Sequence, residues 1–305
     1  MDRIFKQCLY SAANDKVLNV TAEPQFEYFT IINFKDFLNK LLLSPFPDKG
    51  LSALVSFNLH NYLITSPKNN NPQKAFPELN SIINLPQNTI YHKFNAWEHT
   101  VEVVKNTPVN LVLRMAALLH DIGKGEANIR IINEKGLFSD PKHEIESTKK
   151  AQTFLSRLDY NQSFIKEVLW LISEHMKFIS YQSAEHKLAS WIRKNAISGN
   201  FSTTAELCSY YNNLCLLGLA DYYGTGYAKT EKTIKIKAYS KKILAISANM
   251  PVCIKDLALK SEDLKLIFQS HTNTTKLLEN LLRRVQDQQL TNENTALLSA
   301  INFKR

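Results

Sequence analysis

The sequence is poor in the residues that build special architectures. Eight glycines and ten prolines in 305 residues are too few for a fibrous or low-complexity chain. The four cysteines, Cys8, Cys208, Cys215 and Cys253, show no C-x-x-C spacing. That excludes a zinc knuckle and points to a reducing compartment, the cytoplasm. No segment approaches the roughly 18 uninterrupted apolar residues of a membrane span, and the amino terminus has no apolar h-region. A soluble protein without membrane contact is expected. Acidic residues are the minority, 28 against 37 Lys and Arg, which leaves a net charge of +9. That balance favours anionic partners such as nucleotides or RNA, although a lysine-rich solvated surface produces it too.

What is present is an ordinary folding composition, 44% apolar and 21% charged, with length for roughly two domains. From Ala96 onward apolar residues recur at helical spacing, and period-two alternation is confined to short pieces, Phe26 to Ile32 and Thr233 to Ile236. The fold class is therefore mainly α. Loops are expected at Ser66 to Lys74, Gly123 to Pro141, Ser198 to Thr203 and Gly224 to Thr230, each rich in Gly, Pro, Asn or Ser. Boundaries are placed after residues 33, 87 and 230.

Histidines carry the chemical information. LVLRMAALLHDIGKG is apolar almost all round, so it predicts a buried helix that closes on His120 and Asp121, with Gly123 as its stop. An imidazole and a carboxylate side by side at a buried helix end are costly unless a cation or a polar network compensates them. In AWEHTVEVV, Trp97, Val101 and Val104 form an apolar stripe, and His99 lies beside it. Asp140 and Pro141 predict an N-cap and first position for a helix with inner residues Ile145, Thr148, Ala151, Phe154 and Leu158, which puts His143 in its first turn. Steps of three extend the stripe Ile165, Val168, Ile172 to His175, and the stripe Leu207, Tyr211, Leu214, Gly218 to Asp221. Any one inward histidine is most simply a hydrogen-bonded core residue. Four histidines and two aspartates from five helices make a mixed nitrogen and oxygen site suited to one or two divalent cations. His60, His92, His186 and His271 lack such placement and are read as surface or local-structure residues.

The order His99, His120 with Asp121, His143, His175, Asp221 resembles the HD superfamily of metal-dependent phosphohydrolases. The phrases FKDFLNKLLLSPFPDKGLSAL, AFPELNSIINLPQNTIYHKFNAWEHT, LRMAALLHDIGKG and VCIKDLALKSEDLKLIFQS are similar in order and spacing to the neck, HD and tail regions of bacterial tRNA nucleotidyltransferases and poly(A) polymerases. The resemblance implies an N-terminal extension (1–33), a helical neck (34–87), an HD domain (88–230) and a helical tail (231–305). It implies a first cation on His99, His120, Asp121 and Asp221, with Asp121 bridging to a second completed by His143 and His175. Lys124 resembles the lysine of HDxGK motifs and would pair with phosphate; a lysine beside a helix C-terminus is the plainer reading. Arg114 and Glu98 could orient ligands, although a salt bridge or solvent exposure is simpler.

Two departures from that family matter. No two aspartates stand two positions apart and no two glycines are adjacent, so nucleotide addition is not expected. HTNTTK stands where the family has a Pro-Gly turn. The expected activity is hydrolysis of nucleotide phosphoesters: 2′,3′-cyclic nucleotides, 2′-nucleotides or RNA ends. Histidine-rich ligation favours manganese, iron, cobalt, nickel or zinc, with magnesium possible in principle. The alternatives are a non-catalytic RNA-binding or interaction protein, with Lys232, Lys235, Lys237, Lys241, Lys242, Arg283 and Arg284 as its phosphate-contacting face, and an HD-type nucleoside triphosphate or alarmone hydrolase.

Overall fold

The computed structural model describes residues 3–17, 29–66, 69–270 and 273–301. It is mainly helical, with thirteen α-helices and five short strands among these residues. The chain divides into two units, Met1–Ile179 with Leu214–Thr233, and Ser180–Asn213 with Ile234–Arg305.

In the first unit, α1 (Arg3–Asn14), α2 (Ile31–Leu43) and α3 (Pro47–Ser56) form an amino-terminal helical cluster. Phe5 of α1 stacks on Phe37 of α2 at 4.1 Å between ring centroids. Strands β1 (Phe29–Thr30), β2 (Leu63–Ser66) and β3 (Asn69–Lys74) form one sheet. β2 and β3 are antiparallel, with Leu63 opposite Lys74 and Ile64 opposite Gln73. The Asn-rich segment expected as a loop from Ser66 to Lys74 is thus largely a strand. Its polar residues carry no β signal, and the ladder supplies the backbone hydrogen bonds that propensity does not predict.

Next come α4 (Ala96–Asn106), α5 (Leu111–Leu119), a two-stranded β4 (Ile131–Ile132) and β5 (Phe138–Ser139) hairpin, α6 (His143–Arg157) and α7 (Gln162–Tyr181). A capping box closes the start of α4: Glu98 N donates to Asn95 Oδ1 at 2.8 Å, and Asn95 N donates to Glu98 Oε2 at 3.3 Å. Glu98 is therefore a capping residue, and it is exposed, in line with the simpler reading. Buried Arg114 donates to the carbonyls of Thr107, Leu42 and Ser44, which ties α5 to the end of α2.

Three expectations for α6 fail. The helix begins at His143 and not at Pro141, because Lys142 has φ 62° and a left-handed residue cannot continue a helix backwards. Asp140 does not cap it, since its Oδ1 accepts from Gly125 N at 3.0 Å. Packing turns Ile145 outward, 52% exposed, and Ser147 inward, so the expected inner stripe fails at Ile145.

Helix α8 (Leu188–Ala196) belongs to the second unit, and α9 (Thr204–Gly224) begins there and ends in the first. Helix α10 (Thr230–Ala248) includes Thr233 to Ile236, so that alternating piece is helical. Helices α11 (Ser261–Ser270), α12 (Thr274–Gln286) and α13 (Asn294–Ser299) pack Ile267, Leu278, Leu281, Val285 and Leu297 into a core of their own. Asp256 organises that unit: Oδ2 accepts from the N–H groups of Val252, Cys253 and Thr204 at 3.0, 3.1 and 3.0 Å. Partial burial alone would raise its carboxyl pKa, and those donors hold it below the ordinary range. His271 and the opening of HTNTTK lie outside the described residues.

Candidate metal centre

Every expected ligand lies in the first unit, and all are buried: His99 on α4, His120 at the C-cap of α5, Asp121 in the following turn, His143 opening α6, His175 on α7 and Asp221 on α9. Their donor atoms fall into two groups, His99 with His120 and Asp221, and Asp121 with His143 and His175. Within each group the atoms lie within 4.8 Å of one another.

The helices fix which face of each imidazole is offered. His120 Nδ1 lies 2.8 Å from Ala117 O, His143 Nδ1 2.8 Å from Asp140 O and His175 Nδ1 2.6 Å from Ile172 O. A carbonyl can only accept, so each Nδ1 carries a proton, and each ring turns its Nε2 to the interior. His143 Nε2 and His175 Nε2 face each other at 3.2 Å. Two lone pairs at that separation repel unless a proton or a cation lies between them. Burial, with His143 and His120 adding to it, pushes the His175 pKa down to about 3, so His175 is a neutral donor at pH 7.

Asp121 joins the two groups through different oxygens. Its Oδ2 is 3.5 Å from His99 Nε2 and 3.2 Å from His120 Nε2, and its Oδ1 is 2.9 Å from His143 Nε2. Asp221 Oδ1 is 3.1 Å from His99 Nε2. Neither nitrogen of His99, nor Nε2 of His120, has a partner aligned as a hydrogen bond, although all three are buried. Burial alone would raise both carboxyl pKa values; His120 and Lys124 beside Asp121, and His99 and His120 beside Asp221, hold both below the ordinary range. For His120 burial disfavours charge, and Asp121 outweighs that and raises its pKa. Unpartnered buried nitrogens beside two ionised carboxylates are a donor set that fits divalent cations.

Close packing brings these elements together. Gly123 was expected as a left-handed helix stop, but the positive φ, 81°, belongs to Gly125. Gly123 serves closeness instead: a Cβ there would stand 2.5 Å from His143 O and 2.5 Å from Ser147 N, and its own N–H donates to Ser147 Oγ at 2.9 Å. Gly224 plays the same part between α9 and α4, where a Cβ would lie 2.4 Å from Val103 Cγ2 and 3.2 Å from His99 Nδ1.

Lys124 is buried, with Nζ 2.6 Å from Asp121 Oδ2 and 2.9 Å from Gln87 Oε1. His92 was read as a surface or local-structure residue, and it abuts the centre. Its ring meets that of His99 edge-on at 4.8 Å, and its Nδ1 is buried without a hydrogen-bond partner. Burial, then Lys124 and His99, push its pKa down to about 3. His92 sits in the turn before α4, where helical periodicity carries no information. His60 is also buried, with its Nε2 2.9 Å from Asn61 Nδ2, and His186 is exposed. The lysines of α10 stand on its exposed side; Lys232 Nζ lies 4.8 Å from the Tyr222 ring, and Lys242 pairs with Glu185.

Residues 89–198 match the HD domain. The HD match spans five of the six candidate ligands, and Asp221 lies beyond it. An HD domain carrying this centre is consistent with the HD phosphohydrolase superfamily and supports an enzyme with metal-dependent phosphohydrolase activity. A search of curated proteins finds no match to the chain. No helix among the described residues is long and apolar enough to cross a membrane.

Proposed function

We propose that the chain hydrolyses nucleotide phosphoesters, namely 2′,3′-cyclic nucleotides, 2′-nucleotides or RNA ends, with one or two divalent transition ions. The observation that carries the reading is the division of Asp121, one oxygen toward His99 and His120 and the other toward His143. In this reading His99, His120, Asp121 and Asp221 hold the first cation, Asp121 bridges, and His143 and His175 complete the second position. Cations held by these residues would supply Lewis acidity toward phosphoryl oxygens and would lower the pKa of a water in that site. The chain's own groups do the rest. Three backbone carbonyls hold the Nδ1 protons of His120, His143 and His175, so each Nε2 stays free to donate its lone pair. With His120, Lys124 at 2.6 Å keeps Asp121 ionised, and in this reading its ammonium pairs with a phosphate oxygen.

The neck (34–87) and tail (231–305) belong to this proposal through the likeness to nucleotidyltransferases. Four free cysteines support a reducing, cytoplasmic setting. Phosphoesters are favoured over triphosphates because no glycine-rich triphosphate cradle is present in the sequence.

The test is a comparison of 2′,3′-cyclic AMP, 2′-AMP, p-nitrophenyl phosphate, ATP and dGTP with manganese or nickel supplied, and again after chelation. The expected result is metal-dependent turnover of the first two above both triphosphates. Preference for a triphosphate would move the assignment to the triphosphate branch. Inactivity on every compound with metal bound would favour the RNA-binding reading, whose lysines Lys235, Lys237, Lys241 and Lys242 are exposed.

A further inference from the structure

Two loops lie against the candidate centre, and each packs on His99. One runs from Asn88 to Phe94 and contains His92, whose ring lies against His99. The other follows Asp221 and Gly224, and Gly224 is packed against His99. The loops are pinned to each other: Lys93 N donates to Thr225 O at 2.8 Å, and Tyr227 Oη donates to Thr89 O at 3.1 Å. Gly226, at φ 74°, lets the chain pass so close that a Cβ would stand 2.7 Å from the Phe94 ring and 2.8 Å from Lys93 Cβ.

This rim exposes aromatic surface. Tyr91 is 65% exposed and Tyr227 46% exposed. A core-forming role does not account for rings so open, and in Tyr227 the hydrogen bond to Thr89 holds the ring in place at its far end. Exposed Lys93 and Lys229 stand on the same two loops. Aromatic faces interleaved with cations beside a phosphate-processing centre match the chemistry of a nucleotide, a π-face joined to an anion.

We propose that Tyr91 and Tyr227 form a stacking rim for the nucleobase of the substrate, resting on the phosphohydrolase reading above. Tyr227 spends its hydroxyl on Thr89, so it offers a face and not a hydrogen-bonding edge. Recognition is therefore by stacking area: purines bind better than pyrimidines, and adenine and guanine are scarcely distinguished. The same chemistry is presented by a free nucleotide and by the terminal base of an RNA.

The experiment uses the full metal-loaded chain and two probes, 2-aminopurine riboside monophosphate and a short oligoribonucleotide ending in 2-aminopurine. Stacking quenches 2-aminopurine fluorescence, so binding is read without turnover. The expected result is quenching by the wild-type chain, with affinity lowered about tenfold or more in Tyr91→Ala and in Tyr227→Ala and restored in Tyr91→Phe. Quenching of the oligonucleotide alone would assign the rim to RNA ends, and quenching of both to any nucleotide.

Turnover is read in parallel as the KM ratio between 2′-AMP and ribose 5-phosphate, which has no base. That ratio is expected to collapse in the alanine variants, with circular dichroism and metal content reporting their folding. Absence of quenching in the wild-type chain, or alanine variants with wild-type affinity and ratio, would overturn the rim even if phosphoesters are hydrolysed. Tyrosine-dependent quenching without hydrolysis of any ester would keep the rim and overturn the phosphohydrolase reading.

Discussion

Replacing Asp121 with alanine is expected to strip the chain of both cations and to lower kcat/KM on its best phosphoester by on the order of 10²–10³, the scale of losing charge stabilisation at a reacting centre. The reason is positional. Asp121 alone places one oxygen beside His99 and His120 and the other beside His143, so its loss opens both coordination sets. It also leaves Lys124 buried without its 2.6 Å partner, and an unpaired buried ammonium destabilises the fold. Asp121→Asn keeps the shape and removes the charge, which separates a metal effect from an unfolding effect. Metal content by mass spectrometry and a thermal melt decide. Either variant with full metal content would rule out a bridging role for Asp121.

The second large effect is expected from a single methyl group. Gly123→Ala would bring a Cβ within 2.5 Å of both His143 O and Ser147 N, backbone atoms that cannot rotate away. Overpacking of this kind costs about 1–3 kcal/mol. The first turn of α6 must retreat, and His143 goes with it. A displacement near 1 Å at a reacting centre lowers the rate roughly 10²-fold, so the variant should remain folded, lose the second cation and lose most activity. Gly136→Ala is the contrast: Gly136 has φ 71° and nothing within 4 Å of a Cβ, so it carries backbone strain without displacing a ligand. Equal activity of the two variants would show that packing at Gly123 does not set the position of His143.

The convergence of the candidate side chains was legible because four of them continue apolar stripes or end buried helices. His175 follows Ile165, Val168 and Ile172, and Asp221 follows Leu214 and Gly218; a stripe in helical register states which side chains turn inward. The misreadings share a different physics. Asp140 and Pro141 form a plausible cap, but Gly125 N competes for the Asp140 carboxylate, and a left-handed Lys142 delays the helix. The helix starts two residues late, and the face it turns to the core carries Ser147 while Ile145 is exposed. His92 was invisible because turns have no period: its place against His99 is set by the hydrogen bonds that pin its loop. Gly123 was recognised as necessary for the wrong reason, since close approach between two segments of the chain has no local signature. The Asn-rich β3 likewise depends on a partner strand and not on its own residues.

The account rests on two adjacent cation positions sharing one carboxylate. Titration of the metal-free chain with Mn²⁺, followed by electron paramagnetic resonance, addresses that directly. Two ions per chain with a spin-coupled spectrum are expected, and His143→Ala or His175→Ala should leave one ion with the uncoupled six-line signal. A single uncoupled ion in the wild-type chain, or two ions that persist uncoupled in both variants, would contradict the shared centre.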